Sequence, residues 1–159
     1  MRAIAGAHPD AELKLTIEAI PRPPWGTNLR AQSSRSAWDR IRKAAYADAG
    51  DRCTICGSLG RLECHERWAY DDDAHVQRLA GFIALCGRCH GVKHFGRLFK
   101  NAKEGRLDLE DVIRHFLEVN QCDRATFVAH EQATGRQWEE RSKHEWRLDL
   151  GDYSDLVGS

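Results

Sequence analysis

Several features that would assign this chain to a special class of protein are missing from its sequence. The 159 residues carry no net charge and contain no apolar run near the roughly 20 residues that cross a bilayer. There is no internal repeat and no low-complexity segment. No N-terminal stretch combines a basic start, an apolar run and a small-residue cleavage site, so we expect a cytoplasmic protein without a membrane partner. At 42% hydrophobic residues, the length suits one compact domain with additions.

The balanced charge is unevenly distributed along the chain. Residues 30–107 hold 15 Lys and Arg against 9 Asp and Glu, a net of +6, and the remainder has a net of −6. A basic centre suits a polyanionic substrate, although ordinary variation in a charged surface is the alternative explanation. The acidic ends should weaken non-specific binding to DNA, so we expect any DNA binding to be local or assisted.

Two CxxC pairs lie thirty residues apart, formed by Cys53, Cys56, Cys86 and Cys89. Zinc binds four thiolate or imidazole ligands in a tetrahedron, and each CxxC turn supplies two thiolates. The spacing therefore predicts a structural Zn2+ site. Disulfides are the alternative, which we disfavour because paired CxxC motifs in a cytosolic chain are more often metal ligands. Cys64 is interpreted as a small buried hydrophobic residue.

Three histidines accompany these motifs. His65 lies between the pairs, His90 follows Cys89 directly, and His94 lies one helical turn further on. Residues four apart share a helix face, so His90 and His94 should be neighbours. The pattern predicts a second, histidine-rich metal site beside the zinc. The remaining histidines considered are interpreted as surface or capping residues: His75, His115, His130 and His144.

The run LECHE at 62–66, followed by LCGRCH at 85–90 and His94, resembles the HNH endonuclease family, in its branch with a four-cysteine zinc site. Longer stretches on either side are similar to uncharacterised bacterial members. The resemblance covers roughly residues 36–100. It implies a ββα-metal fold, in which two short strands and a helix surround one catalytic divalent cation.

The resemblance also implies roles for individual residues. His65 and His90 match metal ligands of the family, and His94 matches an extra ligand present in some members. Glu66 stands where the general-base histidine usually stands, and the middle asparagine of the family falls on Gly81. We therefore assign the catalytic roles to His65, Glu66 and His90.

The general base, the catalytic metal and the phosphate contacts have alternatives. His75 is the alternative base to Glu66. Imidazole ligands suit Zn2+, Ni2+, Co2+ or Mn2+ better than Mg2+, but the family often works with Mg2+. The catalytic metal therefore stays open, with Mg2+, Mn2+, Ni2+ and Zn2+ as the candidates. Phosphate contacts are predicted at Lys93, Arg97 and Lys100, with a solvated helix flank as the alternative.

These observations predict a metal-dependent endonuclease that hydrolyses phosphodiester bonds of nucleic acid, with DNA as the expected substrate and RNA as the alternative. A specificity partner protein or a homodimer is a further expected partner. The rival hypothesis is a catalytically degenerate zinc-binding module that binds nucleic acid or a partner protein. Glu66 and Gly81, which depart from the family pattern, favour that rival.

The predicted fold class is α+β. An HNH core at 36–107, stabilised by the four-cysteine zinc site, lies between an N-terminal strand and arm at 1–35 and a C-terminal helical extension at 108–159, as one compact unit. Alternating apolar and polar residues predict a strand at 12–20. A short strand at 146–150 is expected to pair with it.

Helix boundaries follow from capping signals. Ser36 with Asp39 resembles a capping box, and Gly50 should end that helix. The loop at 68–78 should lead to a second core strand at 81–85, and a helix should run from His90 to about Phe99. Asp108 and Asp123 are expected to begin the two C-terminal helices.

Overall fold

The computed structural model describes residues 13–21, 29–96, 104–105 and 108–156. Within them the chain has the predicted α+β class, with a small three-stranded sheet in the order β1-β2-β3. The elements are α1 (Leu29–Gln32), α2 (Arg35–Asp48), β1 (Leu62–Asp71), β2 (Val76–Cys86), α3 (Gly87–Lys93), α4 (Leu109–Asn120), α5 (Arg124–Arg141), β3 (Arg147–Asp149) and a 3-10 helix (Gly151–Leu156). None of the described helices has both the length and the apolar composition needed to cross a membrane.

β1 and β2 form an antiparallel hairpin that is longer than predicted, because both strands continue through the segment expected to be a loop. The three aspartates at 71–73 shape its turn. Asp71 Oδ1 accepts the backbone N–H groups of Asp73 at 3.1 Å and Ala74 at 2.8 Å. These aspartates therefore lie in a tight, exposed turn at the tip of the hairpin.

The hairpin contains a β-bulge near its centre. Arg67 pairs with Gly81 and Trp68 pairs with Leu79, so Ala80 is left without a partner on β1. Gly81 has φ +151°, a backbone conformation that is largely restricted to glycine. The position where the HNH resemblance would expect asparagine is therefore occupied by the residue that this bulge requires.

β2 passes directly into α3 at Cys86. Cys86 ends the strand, and its Sγ caps the helix by accepting the backbone N–H of Cys89 at 3.4 Å. α3 starts at Gly87 and ends at Lys93, where His94 caps it, so the predicted helix from His90 to about Phe99 is wrong at its start. The predicted end near Phe99 lies outside the described residues. The short α3 still places His90 beside the end of β2.

α2 forms as predicted, but its N-cap is Ser34 and not Ser36. The Ser34 hydroxyl accepts the backbone N–H of Ala37 at 3.1 Å, while Asp39 pairs with Arg42 at 2.8 Å. The expected capping box is therefore wrong, because the helix begins earlier and Ala37, which has no side-chain acceptor, stands at its third position. Gly50, with φ +63°, follows the helix end as expected. Asp108 and Asp123 cap α4 and α5, as predicted.

The predicted N-terminal strand is wrong. Residues 13–21 form no strand with the sheet. The side chain of Asn120 takes the place of a partner strand, because its Oδ1 accepts the N–H of Leu15 and its Nδ2 donates to the Leu15 carbonyl, both at 2.9 Å. The alternation of apolar and polar residues in this segment instead reflects the burial of one of its sides, with Leu15 fully buried in the core. We call residues 13–21 the arm.

Two further side chains from α5 hold the arm. His130 Nε2 accepts the N–H of Ile17 at 2.9 Å, and Arg141 Nη1 donates to the Ala19 carbonyl at 2.8 Å. Arg141 also makes a bidentate pair with the Asp72 carboxylate in the hairpin turn. The C-terminal extension therefore fixes the arm against the hairpin.

β3 forms close to the predicted place but with a different partner. It pairs in parallel with the start of β2, where Val76 lies opposite Arg147 and Arg78 opposite Asp149. The expectation that it pairs with the N-terminal segment is wrong, because that segment's backbone groups are bound by side chains. The hydrophobic core lies between β2, α3, α4 and α5, where Phe127 packs edge-on against Phe116.

The bulge yields a test of backbone strain. Gly81→Ala should lower the free energy of unfolding by about 1–3 kcal/mol, because a Cβ is disfavoured at φ +151°. Gly135 lies inside α5 with open space around it, so Gly135→Ala should instead raise stability by about 0.5–1 kcal/mol. Urea unfolding of both variants measures the difference. Equal effects at the two positions would contradict the assignment of Gly81 to a glycine-specific conformation.

Candidate metal centres

The four cysteines of the two CxxC pairs cluster as predicted. Their Sγ atoms all lie within 4.8 Å of one another, and Cys56 Sγ is 3.7 Å from Cys86 Sγ. In a tetrahedral site with Zn–S bonds of about 2.3 Å, neighbouring sulfurs are about 3.8 Å apart. No disulfide joins them. The cluster could hold a metal ion such as zinc.

Burial and charge in the cluster also suit a cation. Cys53 and Cys89 are buried. Burial and the neighbouring thiolates raise the pKa of the Cys89 thiol far above its usual range. Four crowded thiolates repel one another, so full ionisation needs a positive ion among them.

The first CxxC turn is docked onto the hairpin by backbone hydrogen bonds. Thr54 N–H donates to the Ala84 carbonyl of β2 at 2.9 Å, while Cys53 N–H closes the turn itself by donating to the Ser58 carbonyl at 3.0 Å. His115, expected at the surface, is 8% exposed, and its Nε2 lies 3.2 Å from Cys89 Sγ. A ring nitrogen in this position can hydrogen-bond a thiolate and tune a bound metal.

The three histidines of the predicted second site converge. The ring centroids of His65 and His90 are 5.2 Å apart, those of His65 and His94 are 5.0 Å apart, and those of His90 and His94 are 4.8 Å apart. Each ring offers a nitrogen within 4.8 Å of the others, an arrangement that could also hold a metal ion. β1 supplies the first histidine, α3 the second, and the end of α3 the third.

Two of these rings are each hydrogen-bonded to a different carboxylate. Glu63 Oε2 lies 2.6 Å from His90 Nδ1, and Glu18 Oε1 lies 3.0 Å from His65 Nε2. A carboxylate accepts from the protonated ring nitrogen, so the other nitrogen keeps the lone pair that a metal needs. These pairs fix both the orientation and the tautomer of the rings.

Glu18 reaches the site from the arm. Lys93 Nζ lies 3.6 Å from its Oε1, while its Oε2 is buried and has no hydrogen-bond partner among the described residues. Burial raises the pKa of Glu18, but the hydrogen bond with His65 and the nearby positive charges outweigh it, so the pKa is lowered overall. An ionised buried carboxylate with one unpaired oxygen suits a nearby cation.

Glu66 lies in the wall of a cavity of about 950 Å³, which we call the site cavity. Glu18, His90 and His94 line the same cavity. Burial raises the pKa of Glu66 above its usual value, and hydrogen bonding from Trp68 only partly offsets this. A carboxyl with a raised pKa is a better proton acceptor than an exposed one.

His75 is not placed to act as the alternative base. It lies in the hairpin turn, stacked on His144 with ring centroids 4.0 Å apart. His65 pairs with Ile83, six residues along the strand from the turn, a span of roughly 20 Å at about 3.3 Å per residue. A water or proton cannot be shared directly over that distance.

The predicted phosphate contacts have a different outcome. Lys93 is 9% exposed, and its ammonium donates to Thr16 Oγ1 at 3.0 Å. Its positive charge therefore interacts mainly with groups of the protein itself. Arg97 and Lys100 lie outside the described residues.

Sequence reasoning missed Glu18, Glu63, His115 and His130. Glu63 could have been found, because it lies two residues before His65 on the same face of a strand. His115 stands three residues after Val112 in an apolar helical stripe, which also signals burial. Glu18 had no such signal, since its role depends on where the arm packs.

No protein-family model, no curated protein and no solved structure matches this chain in the comparisons with known proteins.

The cysteine cluster yields a metal-removal test. Cys56→Ala should abolish stoichiometric zinc binding and unfold the protein, because structural zinc is worth on the order of 10 kcal/mol in small domains. Cys64→Ala is the matched control, since Cys64 lies outside the cluster and should leave one tightly bound zinc per chain. Metal content and thermal unfolding are measured together. A Cys56→Ala protein that melts like the wild type and retains zinc would exclude a structural zinc site.

Proposed function

We propose that the protein is a metal-dependent endonuclease of the HNH type, which hydrolyses phosphodiester bonds of nucleic acid, with DNA as the expected substrate. The observation that carries the proposal is the convergence of His65, His90 and His94 beside a cavity that also contains Glu66. The order hairpin, then helix, in β1, β2 and α3 is what the HNH resemblance predicts for a ββα-metal core.

His65, His90 and His94 would hold a divalent cation, and the donor set fits one. All three offer neutral nitrogen ligands, and Glu18 and Glu63 hydrogen-bond two of the rings. When bound, a divalent cation supplies positive charge where negative charge develops on a phosphodiester during hydrolysis. Three protein ligands leave room for further ligands, as catalytic sites require.

Glu66 is the residue proposed to accept a proton from the attacking water. Its carboxylate lines the site cavity and is largely removed from bulk solvent, which raises its pKa toward the working range of a general base. Glu18 and Glu63 act as positioning residues, since each is already hydrogen-bonded to a histidine.

A zinc-binding module without catalysis is the second candidate. It is favoured by Gly81, because the bulge requires glycine at the position where the family has the asparagine that orients its base. A module of this kind binds nucleic acid through charge alone, and its affinity falls as salt rises.

Cleavage of supercoiled plasmid separates the two candidates. Protein with its structural zinc should nick or linearise plasmid when Mg2+, Mn2+, Ni2+ or Zn2+ is added separately. His65→Ala and His90→Ala should lower the rate by at least roughly 100-fold while retaining one zinc per chain, because each loses a ligand of the proposed cation. His144→Ala, stacked in the hairpin turn, is the control and should cut normally. Plasmid that stays supercoiled with every metal, yet shifts in a gel, would favour the binding module.

The role of Glu66 has its own test. Glu66→Gln keeps the size of the side chain and removes its ability to accept a proton, so the rate should fall roughly 100-fold or more. Glu139→Gln, on the exposed face of α5, is the matched control and should leave the rate unchanged. Single-turnover cleavage rates are compared at a saturating metal concentration. A Glu66→Gln enzyme with the wild-type rate would remove Glu66 from the mechanism.

A further inference from the structure

A second cavity adjoins the site cavity. It has a volume of about 850 Å³ and lies between α2 and the start of β1. Arg30, Trp38, Cys64 and His90 line both cavities, so the two meet beside the histidine cluster. We call the second cavity the basic groove, because arginines outnumber acidic residues in its lining.

One face of α2 forms a wall of the basic groove. Arg35, Asp39, Arg42 and Tyr46 all line it, and their spacing of four, three and four residues places them on one side of a helix. Arg61, just before β1, lines the groove from the opposite element. Arginines from separate elements therefore face a common space.

The acidic residues of the groove are already engaged. Asp39 pairs with Arg42 at 2.8 Å, and Glu63 is hydrogen-bonded to His90 at 2.6 Å. Arg30, Arg35 and Arg61 are exposed, and none of them makes an ion pair with a described residue. Four arginines against two acidic residues thus line the groove, which makes it electropositive.

We infer that the basic groove binds the phosphodiester backbone of a nucleic acid through Arg30, Arg35 and Arg61 and guides it to the histidine cluster. This inference rests on the proposed function, because it gives the substrate a path to that site. Guanidinium groups suit phosphate, which they bind in bidentate fashion. Lys93 lies outside this groove, and its largely buried ammonium already donates to Thr16.

The shape of the groove favours a polymer over a small ligand. Each cavity alone has the size of a complete small-molecule site, about 300–1,000 Å³, and the two lie side by side with four lining residues in common. Half-buried Trp38 lines both, and an aromatic ring within a basic groove is a stacking platform for bases.

The test is binding without cleavage. The full chain with its zinc is titrated onto a labelled 20-base-pair DNA duplex and onto a labelled 20-nucleotide single-stranded RNA, with no divalent cation added. Arg30→Gln/Arg35→Gln/Arg61→Gln should weaken binding at least tenfold near 0.1 M salt. The slope of log affinity against log salt should become shallower by about 3, since each lost phosphate contact removes about 1. The nucleic acid that shows the larger loss is the one the groove fits.

A matched control removes the same charge elsewhere. Arg114→Gln/Arg136→Gln/Arg147→Gln alters three exposed arginines outside both cavities and should leave affinity and salt slope near the wild-type values. Circular dichroism and zinc content verify that both triple variants are folded.

The outcomes separate the groove from the proposed function. Equal binding by the two triple variants, or no binding of either nucleic acid by the wild type, would overturn the inference that the groove binds nucleic acid, whatever the plasmid assay gives. Selective loss of binding in the groove variant supports nucleic-acid binding by the groove, even if no metal gives cleavage. In that case the proposed nuclease activity is wrong and the inference about the groove stands.

Discussion

The corner between β2 and α3 is the feature on which the site depends, and Cys86 defines it. This residue ends the strand, caps the helix through its Sγ, and belongs to the four-cysteine cluster. A tetrahedral ion bound there would fix the angle between strand and helix. That angle decides where His90, four residues later, lies relative to His65 on β1. The cysteine cluster and the histidine cluster are thus linked through one short stretch of chain.

The rest of the protein completes this corner from a distance. Glu18, which hydrogen-bonds His65, belongs to the arm, and the arm has no strand partner to hold it. Asn120, His130 and Arg141 bind its backbone groups, across 105 to 122 residues of sequence. Buried backbone groups need such partners, and α4 and α5 supply them. A role for the C-terminal helices is therefore to place the Glu18 carboxylate at the histidine cluster.

The predictable part of the structure was the part encoded by local spacing. A CxxC turn fixes two sulfurs within one turn of chain, and residues four apart on a helix lie side by side, so the cysteine cluster and the pair of His90 and His94 followed from sequence. The caps at Asp108 and Asp123 followed in the same way.

The missed features depend on contacts between distant segments. Alternation at 12–20 reports which side is buried but not which groups bind the backbone, so side chains of α4 and α5 could replace the expected strand. His130 was assigned to the surface because an acceptor for a backbone N–H 113 residues away leaves no local signal. Lys93 was assigned to phosphate because its charge is visible in sequence, whereas its partner Thr16 is not.

Charge around the histidines also explains why the proposed substrate would need a basic groove beside them. Glu18, Glu63 and Glu66 surround the cluster, and three carboxylates repel a phosphodiester that approaches it. A cation held by the histidines, as proposed, would offset part of this repulsion, but only at short range, because salt screens charge beyond about 10 Å. The remaining attraction has to come from outside the cluster. The exposed arginines on α1, on α2 and before β1 lie where that attraction would act, next to the wall that contains His90. The excess of positive charge in residues 30–107 is thus divided between two places. Lys93 is hydrogen-bonded inside the fold, whereas Arg30, Arg35 and Arg61 line the groove.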